Sequence, residues 1–283
     1  MKTDIVIPLH SKDLPVIPWC IEGIKNFIPH NTLYVISDLK NKKAVEVMGG
    51  TFLDENTIVP GLTRTTYRGK RWGWYFQQFI KYGMCEHVQT DYYLVIDSDT
   101  VFLRNVTFFN EHNKPLYNPT TEHTPDYFDK FFQLFGVQAD YEYSFIAHHM
   151  VFSKQIMREM LEELSTEMRW YENIMQGIDP SNETQSQSLF ADYETYGHYL
   201  KLRHPEEVNL RKLTLGNASL KPCKNLLIYF SQQYDYCCFH HYGIHGKPPD
   251  LSSWLYKIKM EFKLFLLCKF NIKTTFPNYR APQ

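Results

Sequence analysis

The alternation of apolar and polar positions predicts an α/β chain that opens with a βαβ unit. Asp4-Ile5-Val6-Ile7-Pro8-Leu9 is a short apolar run closed by a proline and reads as a buried strand. Pro15-Val16-Ile17-Pro18 then starts a helix, with Trp19, Ile21, Ile24, Phe27 and Ile28 at helical spacing until Pro29-His30-Asn31 stops it. Residues 32–38 give a second strand and residues 50–53 a third, which leads into a long aperiodic loop. In residues 72–82 the positions Trp72, Tyr75, Phe76 and Phe79 share one helical face. Residues 92–103 are β-branched and aromatic with little charge, the pattern of a central strand buried on both faces of a parallel sheet. Beyond it the pattern predicts a short aromatic helix over 128–135 and a strand over 144–152. An amphipathic helix over 154–170 and a last strand over Lys224–Phe230 follow.

Candidate chemistry falls mainly at the ends of these elements. Asp97 and Asp99 close the central strand two residues apart, so an extended chain points both to one side. Alone they repel; a hard divalent cation shared with a diphosphate reverses that sign. The competing reading is a polar turn, although neither Gly nor Pro is present. Asp38 ends the second strand, where a carboxylate either accepts from a ribose or base or caps a turn, and Asp13 in Ser11-Lys12-Asp13 has the same two readings. Arg64, Arg68, Lys70 and Arg71 gather positive charge before the central strand, as a diphosphate contact or a solvated loop. His148 and His149 are adjacent in a predicted strand, so only one can face a site. Phe190-Ala191-Asp192-Tyr193-Glu194 carries a second acidic pair, and either Asp192 or Glu194 is a candidate general base unless the pair caps a helix.

Taken together, the Asp97-Ser98-Asp99 strand end, W-G-W-Y-F-Q-Q-F before it, S-F-I-A-H-H-M-V-F-S after it, F-A-D-Y-E-T-Y-G later and histidines near residue 245 resemble the GT-A glycosyltransferases. Over about residues 1–245 the resemblance is to small bacterial enzymes that build cell-surface polysaccharides. It implies a mixed, mostly parallel sheet flanked by helices, with a nucleotide-sugar donor and a glycan or lipid-linked glycan acceptor. Asp97 and Asp99 would hold Mn²⁺ or Mg²⁺, completed by a late histidine, His241 or His245. Gln78 would lie beside the donor with Asp13, Asp38, Arg71 and Asp97, and one of His148 and His149 would shape the acceptor side. The motif (Ser/Ala)-(Glu/Asp)-Tyr-Glu-x-Tyr-Gly would place the base of an inverting transfer at Asp192 or Glu194, with Asp192 where glutamate is the commoner residue. A nucleotidyltransferase and a non-catalytic sugar-binding module on the same fold are the alternatives.

Composition narrows the classes. The 283 residues, 43% hydrophobic, suffice for a sizeable core, and a formal net charge of -1 gives no field to recruit nucleic acid. Six cysteines without C-x-x-C spacing, no two-by-two zinc pattern and no leader-like N-terminus lead us to expect a cytoplasmic chain. Residues 1–250 are expected to form the catalytic domain and residues 251–283 a basic helix and tail. Within the latter, 254–270 alternates Trp254, Ile258, Phe262 and Phe265 with Lys257, Lys259, Lys263 and Lys269, a pattern suited to peripheral contact with a membrane surface.

Overall fold

A computed structural model describes residues 2–181, 188–218 and 221–239, with positions 262 and 266 alone beyond them. In chain order the elements are β1 (Thr3–Pro8), α1 (Ile17–Phe27), β2 (His30–Ser37), α2 (Lys42–Val47), β3 (Thr51–Asp54), α3 (Trp72–Gly83), β4 (Tyr92–Ile96) and β5 (Thr100–Phe102). They continue with β6 (Leu116–Tyr117), α4 (Pro125–Phe135), β7 (His149–Ser153), α5 (Lys154–Glu163), α6 (Trp170–Met175), α7 (Asp192–Arg203), β8 (Asn209–Leu210), β9 (Leu215–Ala218), α8 (Lys224–Phe230) and β10 (Tyr236–Phe239). Two compact units alternate along the chain. The larger comprises Met1–Ser11, Pro29–Asp97 and Thr107–Lys212, and the smaller the remainder.

The larger unit is a mixed, mostly parallel α/β structure, as the sequence pattern predicts. Its sheet runs β3-β2-β1-β4-β7, parallel throughout except for the antiparallel β7. β1 is buried at every position, and Ile5, Val6, Leu94 and Val95 are closed to solvent, which is why these strands read as continuous apolar runs. Asp4 interrupts that run without an uncompensated cost. Its carboxylate accepts from the N–H groups of Thr32, Gln89 and Thr90 and from the Asn31 amide, at 2.7–3.2 Å. The core beside the sheet is aromatic, with Phe79, Tyr82, Phe152, Phe190 and Tyr196 all buried. α7 is enclosed from Asp192 to Leu200, so polar residues inside it must find partners within the protein.

In the smaller unit β5-β10-β9 form a three-stranded sheet beside α1 and α8. α1 presses so closely on β5 that a Cβ at Gly23 would stand 2.7 Å from the Phe102 carbonyl oxygen.

Four elements differ from the pattern, the first being the strand expected over 144–152, which begins only at His149 as β7. The run 92–103 divides into β4 and β5, which join different sheets, because Asp97-Ser98-Asp99 turns the chain. Lys224–Phe230 is a helix, with Leu226, Leu227 and Phe230 inward at i, i+1 and i+4, a spacing that a seven-residue apolar run shares with a buried strand. The helix expected over 154–170 stops short, and a second one starts only at Trp170. α5 ends at Glu163, and α6 restarts where the Glu172 side chain accepts from the Arg169 N–H. Among the described residues no helix is long and apolar enough to cross a membrane. His241, His245 and residues 254–270 lie outside the described residues, apart from the isolated positions 262 and 266.

Candidate active site

The carboxyl end of β4 gathers four side chains around Asp97, all within the larger unit. Lys81 contributes the ammonium. It lies near the end of α3, whose aromatic stripe anchors the helix, and its carbonyl accepts from the Tyr93 hydroxyl of β4 at 3.0 Å. The Lys81 Nζ is 2.8 Å from Asp97 Oδ1 and 2.9 Å from Asp192 Oδ2, with only 3% of the side chain exposed. Asp97 Oδ1 also accepts from the Tyr193 hydroxyl at 3.0 Å, and the Lys81 ammonium stands 4.1 Å from the Tyr193 ring centre. On the other side His148 Nδ1 lies 3.6 Å from Asp97 Oδ2. The Asp97 N–H donates to the His148 carbonyl at 3.0 Å, extending the β4–β7 ladder by one residue and bringing the two side chains together.

Two carboxylates sharing one ammonium carry a net charge of minus one, and burial distributes it unequally. Burial works against a charged Asp97, but Lys81 and His148 outweigh it and hold the carboxyl well below its ordinary range. At Asp192 burial prevails over Lys81, and the neighbouring Asp97 adds to it, so this carboxyl is pushed up. Lys81 is raised despite its own burial by Asp192 and Asp97, and therefore stays charged. Asp192 is thus the weaker acid of the pair. It sits in the first turn of α7, where a negative charge complements the helix N-terminus. Its N–H donates to Gln78 Oε1 at 2.7 Å, and its carbonyl accepts from the Tyr82 hydroxyl at 2.6 Å.

Two residues on, Glu194 faces different surroundings. Its Oε2 accepts from Ser144 Oγ at 2.9 Å and from the Phe145 N–H at 2.6 Å, and its Oε1 lies 3.4 Å from His198 Nε2. The His198 ring is enclosed by Phe128, Phe131 and Phe145.

The remaining candidates have the following partners. Gln78 is buried with both ends of its amide engaged, the oxygen by Asp192 and the nitrogen by the Trp74 carbonyl at 3.2 Å, so it fastens α3 to α7. Asp38 accepts from the Lys40 N–H at 3.0 Å as a cap on a single turn, and its side chain is 44% exposed. Arg71 donates to the Ser188 hydroxyl and lies over the Trp74 ring. His149 turns into the core against Phe108, where burial pushes it down to about 3, so it is neutral. Of the histidine pair only His148 reaches Asp97. In the smaller unit, Asp13 accepts from Ser98 Oγ at 2.8 Å, and the Asp99 carbonyl accepts from the Phe239 N–H at 2.9 Å. No group of three potential metal-ligating side chains occurs among the described residues.

Lys81 is the participant that sequence reasoning missed. A signal existed: Gln78 and Lys81 are three apart on one helix face, and both bond Asp192. A cavity of about 780 Å³ elsewhere in the larger unit, lined in part by Val59, Gly61, Arg169 and Trp170, includes none of these side chains.

A family model described as "Family of unknown function (DUF6492)" matches residues 22–219. No curated protein matches the chain. Among solved structures, mouse xyloside xylosyltransferase 1 in its apo form is similar with a TM-score of 0.47 and 12% identity, over 88% of this chain and 99% of that one. The galactosyltransferase LgtC in complex with donor and acceptor sugar analogues is similar with a TM-score of 0.43 and 13% identity, over 92% of this chain and 94% of that one.

Proposed function

The chain belongs to the DUF6492 family, and because that description assigns no activity we propose a function from the site itself: transfer of a sugar from a nucleotide diphosphate to a hydroxyl of a glycan, on a GT-A fold. The observation that carries this is Asp97 at the carboxyl end of a central strand in a mostly parallel sheet, the position at which such sheets bind ligands, with Lys81, Asp192, Tyr193 and His148 around it. Asp97 and His148 are each about a quarter exposed, so the cluster is approached from their side. As the acceptor oxygen bonds to the sugar carbon and the bond to the diphosphate breaks, the hydroxyl proton passes to Asp192. We assign it this role because burial disfavours its charge. Inversion at the sugar carbon follows from a single displacement.

By the sequence motif, Asp97 and Asp99 would supply hard oxygen ligands suited to Mn²⁺ or Mg²⁺, and His241 or His245 would be the further ligand. Such an ion would neutralise charge on the departing diphosphate. A surface glycan is the acceptor class, and the basic segment 254–270 would hold the enzyme peripherally at the inner face of the cell membrane.

The test is a panel of nucleotide sugars screened for thermal stabilisation with and without Mn²⁺, followed by product analysis. A donor at a hundredfold its dissociation constant adds about 2.7 kcal/mol. Release of nucleoside diphosphate, lost in Asp97→Asn, is the expected result. Release of pyrophosphate would point to nucleotidyl transfer, and stabilisation by free sugars alone to a binding module.

A further inference from the structure

We infer that Glu194 is a positioning residue, whose carboxylate sets the irregular segment 144–148 that brings His148 to Asp97. The inference rests on the proposed transfer only in that this segment borders its site. Residues 144–148 precede β7 and lie outside its ladder. The chain is held at its start by Ser144, which exchanges backbone hydrogen bonds with Thr120 at 2.9 and 3.1 Å, and at its end by the His148 carbonyl, which accepts from Asp97. Between these points the Phe145 N–H has no strand to bond, and the Glu194 carboxylate takes the place of the missing partner. The same oxygen receives the Ser144 hydroxyl, which in turn accepts from the Ile146 N–H at 3.0 Å. One carboxylate oxygen thereby fixes three successive residues.

Packing enforces the same register. A Cβ at Gly197, one turn further along α7, would stand 2.1 Å from Phe145 Cγ, so the helix admits the Phe145 ring only because residue 197 lacks a side chain. The other oxygen of Glu194 faces His198, itself closed in by aromatic rings, and Glu194 is 1% exposed. A carboxylate sealed in this way has no path to an acceptor hydroxyl, whereas its contacts determine where His148 stands.

The test uses the full chain carrying Glu194→Gln, Glu194→Ala or Ser144→Ala. A glutamine oxygen can still accept from Ser144 and Phe145 while its amide nitrogen donates toward His198. Glu194→Gln should therefore keep native hydrogen exchange over 144–148 and transfer within about fivefold of wild type. Glu194→Ala should speed exchange there by roughly ten- to a hundredfold without changing β1 or β4. It should also lower the turnover rate roughly a hundredfold while the donor still stabilises the protein thermally. Ser144→Ala should fall between the two. Loss of transfer in Glu194→Gln with native exchange would overturn the inference, because the charge itself would then be required. Unchanged exchange in Glu194→Ala would overturn it too, as would unchanged exchange in Ser144→Ala should the former not fold. Exchange is measured without a donor, so failure of the nucleotide-sugar panel leaves this result standing.

Discussion

Asp192 and Glu194 stand two residues apart on one helix, yet they occupy opposite electrostatic situations. Asp192 shares a buried ammonium with a second carboxylate whose neighbours reach solvent. Glu194 meets a hydroxyl, a backbone N–H and the aromatic-enclosed His198. Residue type and spacing are similar, so the difference arises from what each helix face packs against: α3 and β4 on one side, the 144–148 segment and α4 on the other. A carboxylate paired with lysine in a cluster that includes a partly exposed histidine suits charge movement. One bonded to a backbone N–H and a hydroxyl suits holding a shape.

The largest expected effect comes from removing the ammonium. Lys81→Met leaves Asp97 and Asp192 facing each other in the interior, and breaking a buried pair in this way costs about 3–5 kcal/mol. Urea unfolding measures it. Lys81→Met combined with Asp192→Asn should recover a substantial part, since the second change removes the repulsion. If the single variant lost less than about 1 kcal/mol, the two clusters would not differ in the way described.

Next in size is the direct comparison of the two acids by activity. Asp192→Asn should lower transfer about 10²–10⁴-fold, the range for loss of a general base, against the few-fold effect expected of Glu194→Gln. Equal losses in the two variants would erase the distinction.

How much of this was legible in the sequence depends on the range of the interaction. The parallel sheet was readable because residues 5–8 of β1, 33–36 of β2 and 93–96 of β4 are buried and form apolar runs. The strand break at Asp97-Ser98-Asp99 and the helix at Lys224–Phe230 were not, because short apolar runs leave the partner undetermined. The choice between His148 and His149 could be narrowed to one by alternation, but only the fold shows which one faces Asp97. Lys81 lay hidden within an aromatic helix because both its partners are distant in sequence, 16 and 111 residues away. For Gln78 the resemblance implies a place beside the donor, and what only the fold shows is that its amide bonds the Asp192 N–H and the Trp74 carbonyl.

A third prediction isolates the anchoring kind of carboxylate by using Asp4, which like Glu194 accepts from backbone N–H but lies on strand β1 rather than on helix α7. Burial opposes its charge, but the donors of Gln89, Asn31, Thr32 and Thr90 outweigh it and hold the carboxyl below its ordinary value. A depressed carboxyl contributes stability that is fully present above the unfolded value of about 3.9 and is lost as pH falls through the lower folded value. The stability gap between wild type and Asp4→Asn, measured in urea, should therefore be constant from pH 7 to about 5 and shrink below about 4. A gap that widened on acidification would contradict the anchoring.

The smallest effect is expected at Asp38, the exposed member of this set of carboxylates. Its carboxylate accepts from the Lys40 N–H, and the nearby Lys40 ammonium at 3.3 Å is itself well exposed, so the ion pair adds little. Asp38→Ala should lower stability by about 0.5–1 kcal/mol through loss of the cap, and Asp38→Asn by less, since asparagine caps equally well. That difference separates the two meanings the sequence left open. If the carboxylate only caps the turn, Asp38→Asn leaves donor binding unchanged in a thermal-shift titration. If it also accepts from a ribose or base, Asp38→Asn weakens the nucleotide about tenfold while stability stays near wild type, because a neutral amide oxygen accepts less strongly than a carboxylate. The asparagine variant therefore tests nucleotide contact with the fold held constant, a separation that neither buried cluster allows.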